Sequence, residues 1–315
     1  MSRVIERTRE GNARALGVLL SLVEDAAPEL RPIMKALADH TGQARIVGLT
    51  GAPGVGKSSL TNALVGVYRQ RGLRVAVLAV DPSSPFSGGA LLGDRVRMQA
   101  HATDPGVFIR SMATRGHLGG LSRATPQALR VLEAAGFDLV LVETVGVGQA
   151  EVEVASLADT TLVISAPGMG DAIQAIKAGI LETADVLVVN KADKPGAQET
   201  VRDLRGMVAM APRREGWWRP PIVTTTATAA DGVAELAERV DQHWAWLDSS
   251  GEGAARRTAR AREEVSAIAL AELRRLVGGL PGDSRLDELA SQVACGDIDP
   301  FSAADELVAL AVRQA

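Results

Sequence analysis

The hydrophobic positions of this chain change their spacing twice, dividing it into three stretches. Over residues 1–40, Leu16, Leu19, Leu20 and Val23 recur at the spacing of one helix face, with breaks expected at Pro28 and Pro32. From residue 44 the apolar residues come instead in short continuous runs: "ARIVGLTG", "LRVAVLAVD", "GVFIRSM", "FDLVLVET", "TTLVISA", "DVLVVNK" and "PPIVTTTA". Stretches with helical spacing separate them. Runs without polar alternation predict strands buried on both faces. The expected fold class is therefore α/β, a largely parallel sheet flanked by helices, with ligands at the carboxyl ends of the strands. The third stretch opens at "LDSSGEGAARRTARAREE", residues 247–264, a polar connector that becomes a basic helix. Val265, Ile268, Leu273 and Leu276 form its expected apolar stripe. Two short helices, around 285–294 and 301–312, follow. This tail is too short to bury a good core alone, so its apolar faces should pack on something. The expected organisation is an N-terminal helical extension at 1–43, a central domain at 44–247 and a C-terminal helical region at 248–315.

Composition narrows the partners. The 315 residues are 46% apolar and 23% charged, which fits a globular protein. The net charge of −4 gives no reason to expect nucleic acid. Cys295 is the only cysteine, which excludes a disulfide framework and a cysteine-rich metal site. The apolar runs are far shorter than a membrane span. Arg3, Arg7, Arg9 and Arg14 alternate with Glu6 and Glu10, as in an amphipathic helix rather than a targeting peptide. A cytoplasmic location, with no membrane partner, is the expectation. Of the 34 basic residues only Lys35, Lys57, Lys177, Lys191 and Lys194 are lysine. In an arginine-rich chain, a lysine marks a place where a compact ammonium is in demand.

Two motifs carry chemistry. "GAPGVGKSS", spanning Gly51, Ala52, Pro53, Gly54, Val55, Gly56, Lys57, Ser58 and Ser59, follows an apolar strand and opens a helix. It matches the P-loop pattern, whose backbone N–H groups and helix N-terminus close around phosphate oxygens. Lys57 would bridge the β- and γ-phosphates, and Ser58 would place its hydroxyl on Mg²⁺. "NKAD" follows the strand "DVLVVNK". In P-loop proteins this sequence reads guanine: Asp193 can accept hydrogen bonds from N1–H and the exocyclic amine, and the stem of Lys191 can cover the base. Thr226, Ala227 and Thr228, at the end of the next strand, occupy the usual place for backbone contacts to the guanine carbonyl. Of three further acids, Asp81 and Glu143 end apolar strands at the P-loop edge, a placement that favours metal or water chemistry. Asp94 lies in the loop-like "SGGALLGDR", a less direct placement for the same chemistry, with a surface acid as the alternative. Where many GTPases carry Asp-x-x-Gly followed by a water-orienting glutamine, this chain has Glu143-Thr-Val-Gly146 followed by Val147. The longer acid would reach a metal-bound water rather than hold the ion itself.

Together, "GAPGVGKSSL", "VLAVDPSSPFSGGALLGDRVRM", "FDLVLVETVGVGQAEVEVA", "PGMGDAIQAIKAGILETADVLVVNKAD" and "GDIDPFSAADEL" resemble the methylmalonyl-CoA mutase-associated GTPases, the MeaB/ArgK group. The resemblance covers nearly the whole chain. It implies a P-loop GTPase of the branch that includes signal-recognition and nickel-insertion GTPases, a homodimer that gates cofactor delivery to a cobalamin-dependent acyl-CoA mutase. It implies GTP/GDP and Mg²⁺ as ligands, with no cobalamin bound by this chain itself. By the same resemblance, Lys57, Ser58, Asp81, Asp94 and Glu143 form the Mg²⁺ and hydrolysis site, and Asn190, Lys191 and Asp193 read guanine. Residues 167–179 would be an additional switch touching the mutase, carried by Asp171, Gln174 and Lys177. With Val147 unable to orient water, the isolated protein should hydrolyse GTP slowly until a partner completes the site. Two rivals remain: nickel insertion, which needs a His/Cys cluster where this chain scatters His40, His101, His117 and His243, and a kinase acting on a basic amino-acid transport protein.

Overall fold

The computed structural model describes residues 2–81, 101, 103–113, 124–144, 150–168, 183–210, 216–277 and 284–314. Each of the seven apolar runs forms a strand: β1 (Arg45–Thr50), β2 (Val75–Asp81), β3 (Val107–Ala113), β4 (Leu139–Thr144), β5 (Thr160–Ser165), β6 (Val186–Val189) and β7 (Ile222–Thr224). They make one sheet in the order β3-β2-β4-β1-β5-β6-β7, with every pairing parallel. Strands β4, β5 and β6 are buried at every position, which is why they read as continuous apolar runs. Among the described residues, the helices are α1 (Ser2–Arg9), α2 (Ala13–Glu24), α3 (Leu30–Leu37), α4 (Lys57–Gln70), α5 (Thr125–Ala134), α6 (Ala150–Leu157), α7 (Ala197–Met210), α8 (Val233–Ser250), α9 (Glu252–Val277), α10 (Ser284–Cys295) and α11 (Pro300–Gln314). None of them is long and apolar enough to cross a membrane.

The chain separates into two compact units, residues 1–254 and 255–315. In the first, α4 and α8 cover one face of the sheet, burying Leu60, Leu64, Val65, Leu236 and Val240 against Val47, Leu49, Leu141 and Leu162. The other face packs against α5, α6 and the N-terminal helices, where Leu16, Leu19, Leu20, Val23, Ile33 and Leu37 join Ile46, Leu78, Val140 and Val142 in one core cluster. The N-terminal helices are thus part of the core of this unit. The partly buried Arg110 of β3 adds a polar tie, donating to the carboxylate of Glu24 on α2. In the second unit, α10 and α11 pack together and bury Leu289 and Ala303. Val265 and Leu273 of α9 and Phe301 of α11 remain 67%, 56% and 84% exposed.

Two local expectations are corrected. Pro32 does not break the helical run but lies in the first turn of α3, where its missing N–H has no intrahelical partner to lose. The expected break at Pro28 is present, between Glu24 and Leu30, and an additional one occurs at Gly11, with φ +80°, and at Asn12, whose side chain accepts from Ala15 N at 3.0 Å and caps α2. The connector at 247–251 is likewise shorter than expected. Helix α8 continues through Ser250, and Gly251 alone, at φ +79°, turns the chain into α9.

The amino end of the sheet is closed by a repeated device. Asp138, Asp159 and Asp185 each immediately precede a strand and each accept a backbone N–H from a neighbouring one: Arg74 at 2.7 Å, Ile46 at 2.9 Å and Thr161 at 2.8 Å. N–H groups at the starts of β2, β1 and β5 are satisfied in this way. His243, fully buried, joins the same edge: its Nδ1 lies 2.8 Å from the Thr160 hydroxyl and its ring stacks on Trp246. The opposite, carboxyl end is left for the loops that carry the motifs.

If α2 is core, Leu20→Ala should destabilise the first unit by about 3 kcal/mol, the usual cost of emptying a fully buried leucine site. Val18→Ala, on the exposed side of the same helix, should cost far less. Urea unfolding of the two variants checks this; equal small effects would mean that α2 is a detachable arm.

Candidate functional site

The P-loop leaves the end of β1, at the centre of the sheet, and enters α4. Gly51, Gly54 and Gly56 have φ of +142°, +80° and +95°. At two of them close approach also demands glycine. A Cβ on Gly51 would stand 2.2 Å from the Ile164 carbonyl oxygen, and one on Gly56 would stand 2.4 Å from Nδ2 of Asn190. The loop is therefore pressed against the ends of β5 and β6, with the N–H groups of the first turn of α4 at its mouth. Lys57 is buried there and folds back over the loop, donating to Gly51 O at 2.6 Å and Ala52 O at 3.1 Å. An ammonium held this way is in place before a phosphate arrives. Ser59, Pro53 and Gly54 are exposed on the outer side of the loop and helix.

Glu143 closes the loop from the β4 side. Its carboxylate, 3% exposed, accepts from the Ser58 hydroxyl at Oε1 (2.6 Å) and lies 3.0 Å from the Thr61 hydroxyl at Oε2. A hydroxyl has one proton and two lone pairs. With its proton given to Glu143, the Ser58 oxygen can offer a lone pair to a hard cation, which takes oxygen ligands. The arrangement fits Mg²⁺ with Ser58 as ligand and Glu143 one shell out, oriented toward the ligand hydroxyl or a metal-bound water. Asp81 ends β2, the strand beside β4, two residues past the Ala79 that pairs with Glu143. Its backbone therefore reaches the same edge; its side chain lies outside the description.

The base motif is organised around Asn190, 2% exposed at the end of β6. Its Nδ2 donates to Val55 O at 2.9 Å, and its Oδ1 accepts from the Thr225 hydroxyl at 3.1 Å and Ala227 N at 3.2 Å. One amide thus ties the P-loop, the β6 end and the β7 end together. Lys191 adopts φ +57°, uncommon for a residue with a Cβ, and its ammonium donates to Gly54 O at 2.7 Å. Its stem therefore lies along the rim between motif and loop. Asp193 is half-exposed, with Lys194 3.9 Å away as its neighbouring charge. The backbone N of Thr226 and of Asp231 each bond the other's carbonyl, closing the loop that presents exposed Thr228.

The structure thus brings Lys57, Ser58, Glu143, Asn190 and Lys191 into one connected edge, with Asp193, Thr226, Ala227 and Thr228 beside it. Asp94, Gly146, Asp171, Gln174 and Lys177 lie outside the described residues. Sequence reasoning missed Thr61 and Thr225. Thr61 carried a signal, since it falls three residues after Ser58 and so on the same helix face. Thr225 stood inside the strand-end run "TTTAT" without any mark distinguishing it from its neighbours.

Comparison with known proteins agrees with this geometry. The family model for the methylmalonyl-CoA mutase-associated GTPase MeaB matches residues 16–279. A protein of Pyrococcus horikoshii named as a GTPase is 48% identical over 309 residues, covering 97% of this chain and 96% of its own length. The GTPase ArgK of Escherichia coli K12 is 38% identical over 260 residues, 80% of this chain and 78% of its own. A Caenorhabditis elegans protein named methylmalonic aciduria type A homolog, mitochondrial, is 32% identical over 328 residues, covering 98% and 82%. Among solved structures, one described as a LAO/AO transport system kinase superposes with a TM-score of 0.70 at 27% identity, over 97% of this chain and 95% of that one. With a P-loop, an Asn-Lys-Ala-Asp motif beside it and relatives matched along nearly its full length, this chain is a GTP hydrolase and belongs to the family of methylmalonyl-CoA mutase-associated GTPases.

Proposed function

We propose that this GTPase is a gatekeeper for a cobalamin-dependent acyl-CoA mutase, using GTP hydrolysis to time cofactor loading and to protect or reactivate the mutase. The observation that carries the reading is the family match over residues 16–279, whose own description names the mutase. The Caenorhabditis elegans relative, named for methylmalonic aciduria, supports it. Cobalamin stays on the mutase side; this chain takes GTP, GDP and Mg²⁺ and acts in the cytoplasm as a homodimer. Among the described residues no histidine cluster supports a nickel cargo: His101 bonds Asn62 O, His243 is buried in the far edge of the sheet, and His40 lies in the N-terminal helices.

In this reading the P-loop amides and Lys57 hold the β- and γ-phosphates, and Asp193 selects guanine. Ser58, Asp81, Asp94 and Glu143 form the metal and water side, and Gly146 lies beside the γ-phosphate. Bound Mg²⁺ would neutralise charge on the phosphate oxygens as the bond to the leaving group breaks. Val147 offers no hydrogen bond to the attacking water. Hydrolysis is therefore slow until the mutase engages Asp171, Gln174 and Lys177, when the Lys177 ammonium reaches the phosphates. A kinase reading draws only on the description of one solved relative. Transfer of labelled phosphate from GTP to any protein of the source extract would favour it.

Retention of a cobalamin mutase on the immobilised protein with non-hydrolysable GTP, and its absence with GDP, is the experiment that tests the proposal. Recovery of no mutase in either state would overturn it.

Three outcomes follow from the residue assignments. Asp193→Ala should weaken GTP binding by roughly tenfold or more, the cost of hydrogen bonds to a charged acceptor. Titration with fluorescent GTP and ATP analogues reads this, and equal affinity of the unaltered protein for both would sink the guanine assignment. Lys177→Ala should keep its GTP affinity and slow basal rate yet lose most of the mutase stimulation, with Gln174→Ala sharing part of the defect and Lys194→Ala none. Full stimulation of Lys177→Ala would remove the lysine from the mechanism. Finally, the exposed Val265 and Leu273 support a dimer interface on α9. Val265→Asp combined with Leu273→Asp should give monomers by light scattering that still bind GTP. An unaltered full-length chain that is monomeric at micromolar concentration would contradict the homodimer.

A further inference from the structure

Glu143 has a second hydroxyl partner that the GTPase motifs do not explain. Ser58 and Thr61 are three apart on α4 and share the face turned to β4. Both are buried, Thr61 completely. The two carboxylate oxygens of Glu143 reach successive turns of the helix, Oε1 to Ser58 Oγ at 2.6 Å and Oε2 to Thr61 Oγ1 at 3.0 Å. Thr61 Oγ1 is also 3.0 Å from Lys57 O, the carbonyl one turn back. Its single proton can serve one acceptor at a time, and the charged carboxylate is the stronger. If the carboxylate moves, the proton can return to Lys57 O, so no buried donor is left unsatisfied.

We propose that Thr61 is a positioning residue for GTP hydrolysis: it fixes the rotation of the Glu143 carboxylate, so that Oε1 stays on the Ser58 proton and the Ser58 lone pairs stay turned to the phosphate edge. The inference rests on the reading of Glu143 as part of the hydrolysis site. It also gives a reason for a glutamate at the end of β4. Aspartate is one methylene shorter, and that methylene is the reach by which the carboxylate crosses from β4 to meet both hydroxyls of α4.

The test uses the full-length protein and three substitutions at residue 61. Thr61→Val replaces the hydroxyl with a methyl group of similar size. It should lower kcat for GTP by about tenfold, the scale of one hydrogen bond to a charged group, while KM and the affinity for fluorescent GDP in EDTA stay unchanged. The Mg²⁺ concentration that half-maximally tightens fluorescent GDP binding should rise. Thr61→Ser should restore both quantities, and Thr61→Ala, which adds no bulk, should repeat the loss. In a Glu143→Gln background Thr61→Val should cost little more, because the two residues act as one unit. A normal kcat for Thr61→Val and Thr61→Ala, or an equal loss with and without Glu143, would overturn the positioning role while leaving Glu143 in place. Unimpaired hydrolysis by Glu143→Gln would instead overturn the underlying reading of Glu143, and the role of Thr61 with it.

Discussion

Two buried polar side chains, Glu143 and Asn190, hold the P-loop between them, and the rest of the site depends on that clamp. A carboxylate taken out of water costs several kcal/mol unless its oxygens are satisfied. Glu143 meets that demand with hydroxyls from α4, which fixes the helix start against β4. Asn190 meets its own with Val55 O, the Thr225 hydroxyl and Ala227 N, which fixes the loop against the ends of β6 and β7. Breaking either set would leave an unpaired polar group in the interior. The P-loop, the start of α4 and the ends of β6 and β7 are consequently one connected structure.

The fold supplies the geometry that makes this clamp possible. With every strand parallel, all carboxyl ends lie at one edge, and β1 sits between β4 and β5. The P-loop therefore emerges with Glu143 on one flank and the strands that end at Asn190 and Thr225 on the other. The amino edge is treated in the opposite way. Asp138, Asp159 and Asp185 satisfy N–H groups at strand starts there, and His243 with Trp218 and Trp246 packs over it. One edge has its polar groups satisfied within the protein; the other presents donors and oxygens to a ligand.

The strands and the P-loop are legible in the chain's own residues. Parallel strands buried on both faces must be continuous apolar runs, and a phosphate cradle must be glycine-rich with a lysine at the helix start. Those demands are local, so "ARIVGLTG" and "GAPGVGKSS" carry them in neighbouring letters. The break at Gly11 and Asn12 and the place of Pro32 within α3 were less legible, because each depends on where a helix begins by one or two residues.

Tertiary structure alone decided the order of the strands, which fixes Glu143 and Asn190 on opposite flanks of the loop. Only the fold set Thr61 against Glu143 and Thr225 against Asn190, pairs separated by 82 and 35 residues. Thr61 offered only its spacing from Ser58, and Thr225 nothing that set it apart from the threonines beside it. A hydrogen bond needs its partners within about 3 Å and aligned, and no periodicity along the chain encodes a distance across the sheet. Composition and spacing determined what the pieces are and which ligand they suit. Packing decided which oxygen faces which proton, because that depends on how far α4 lies from β4 once both cores are filled.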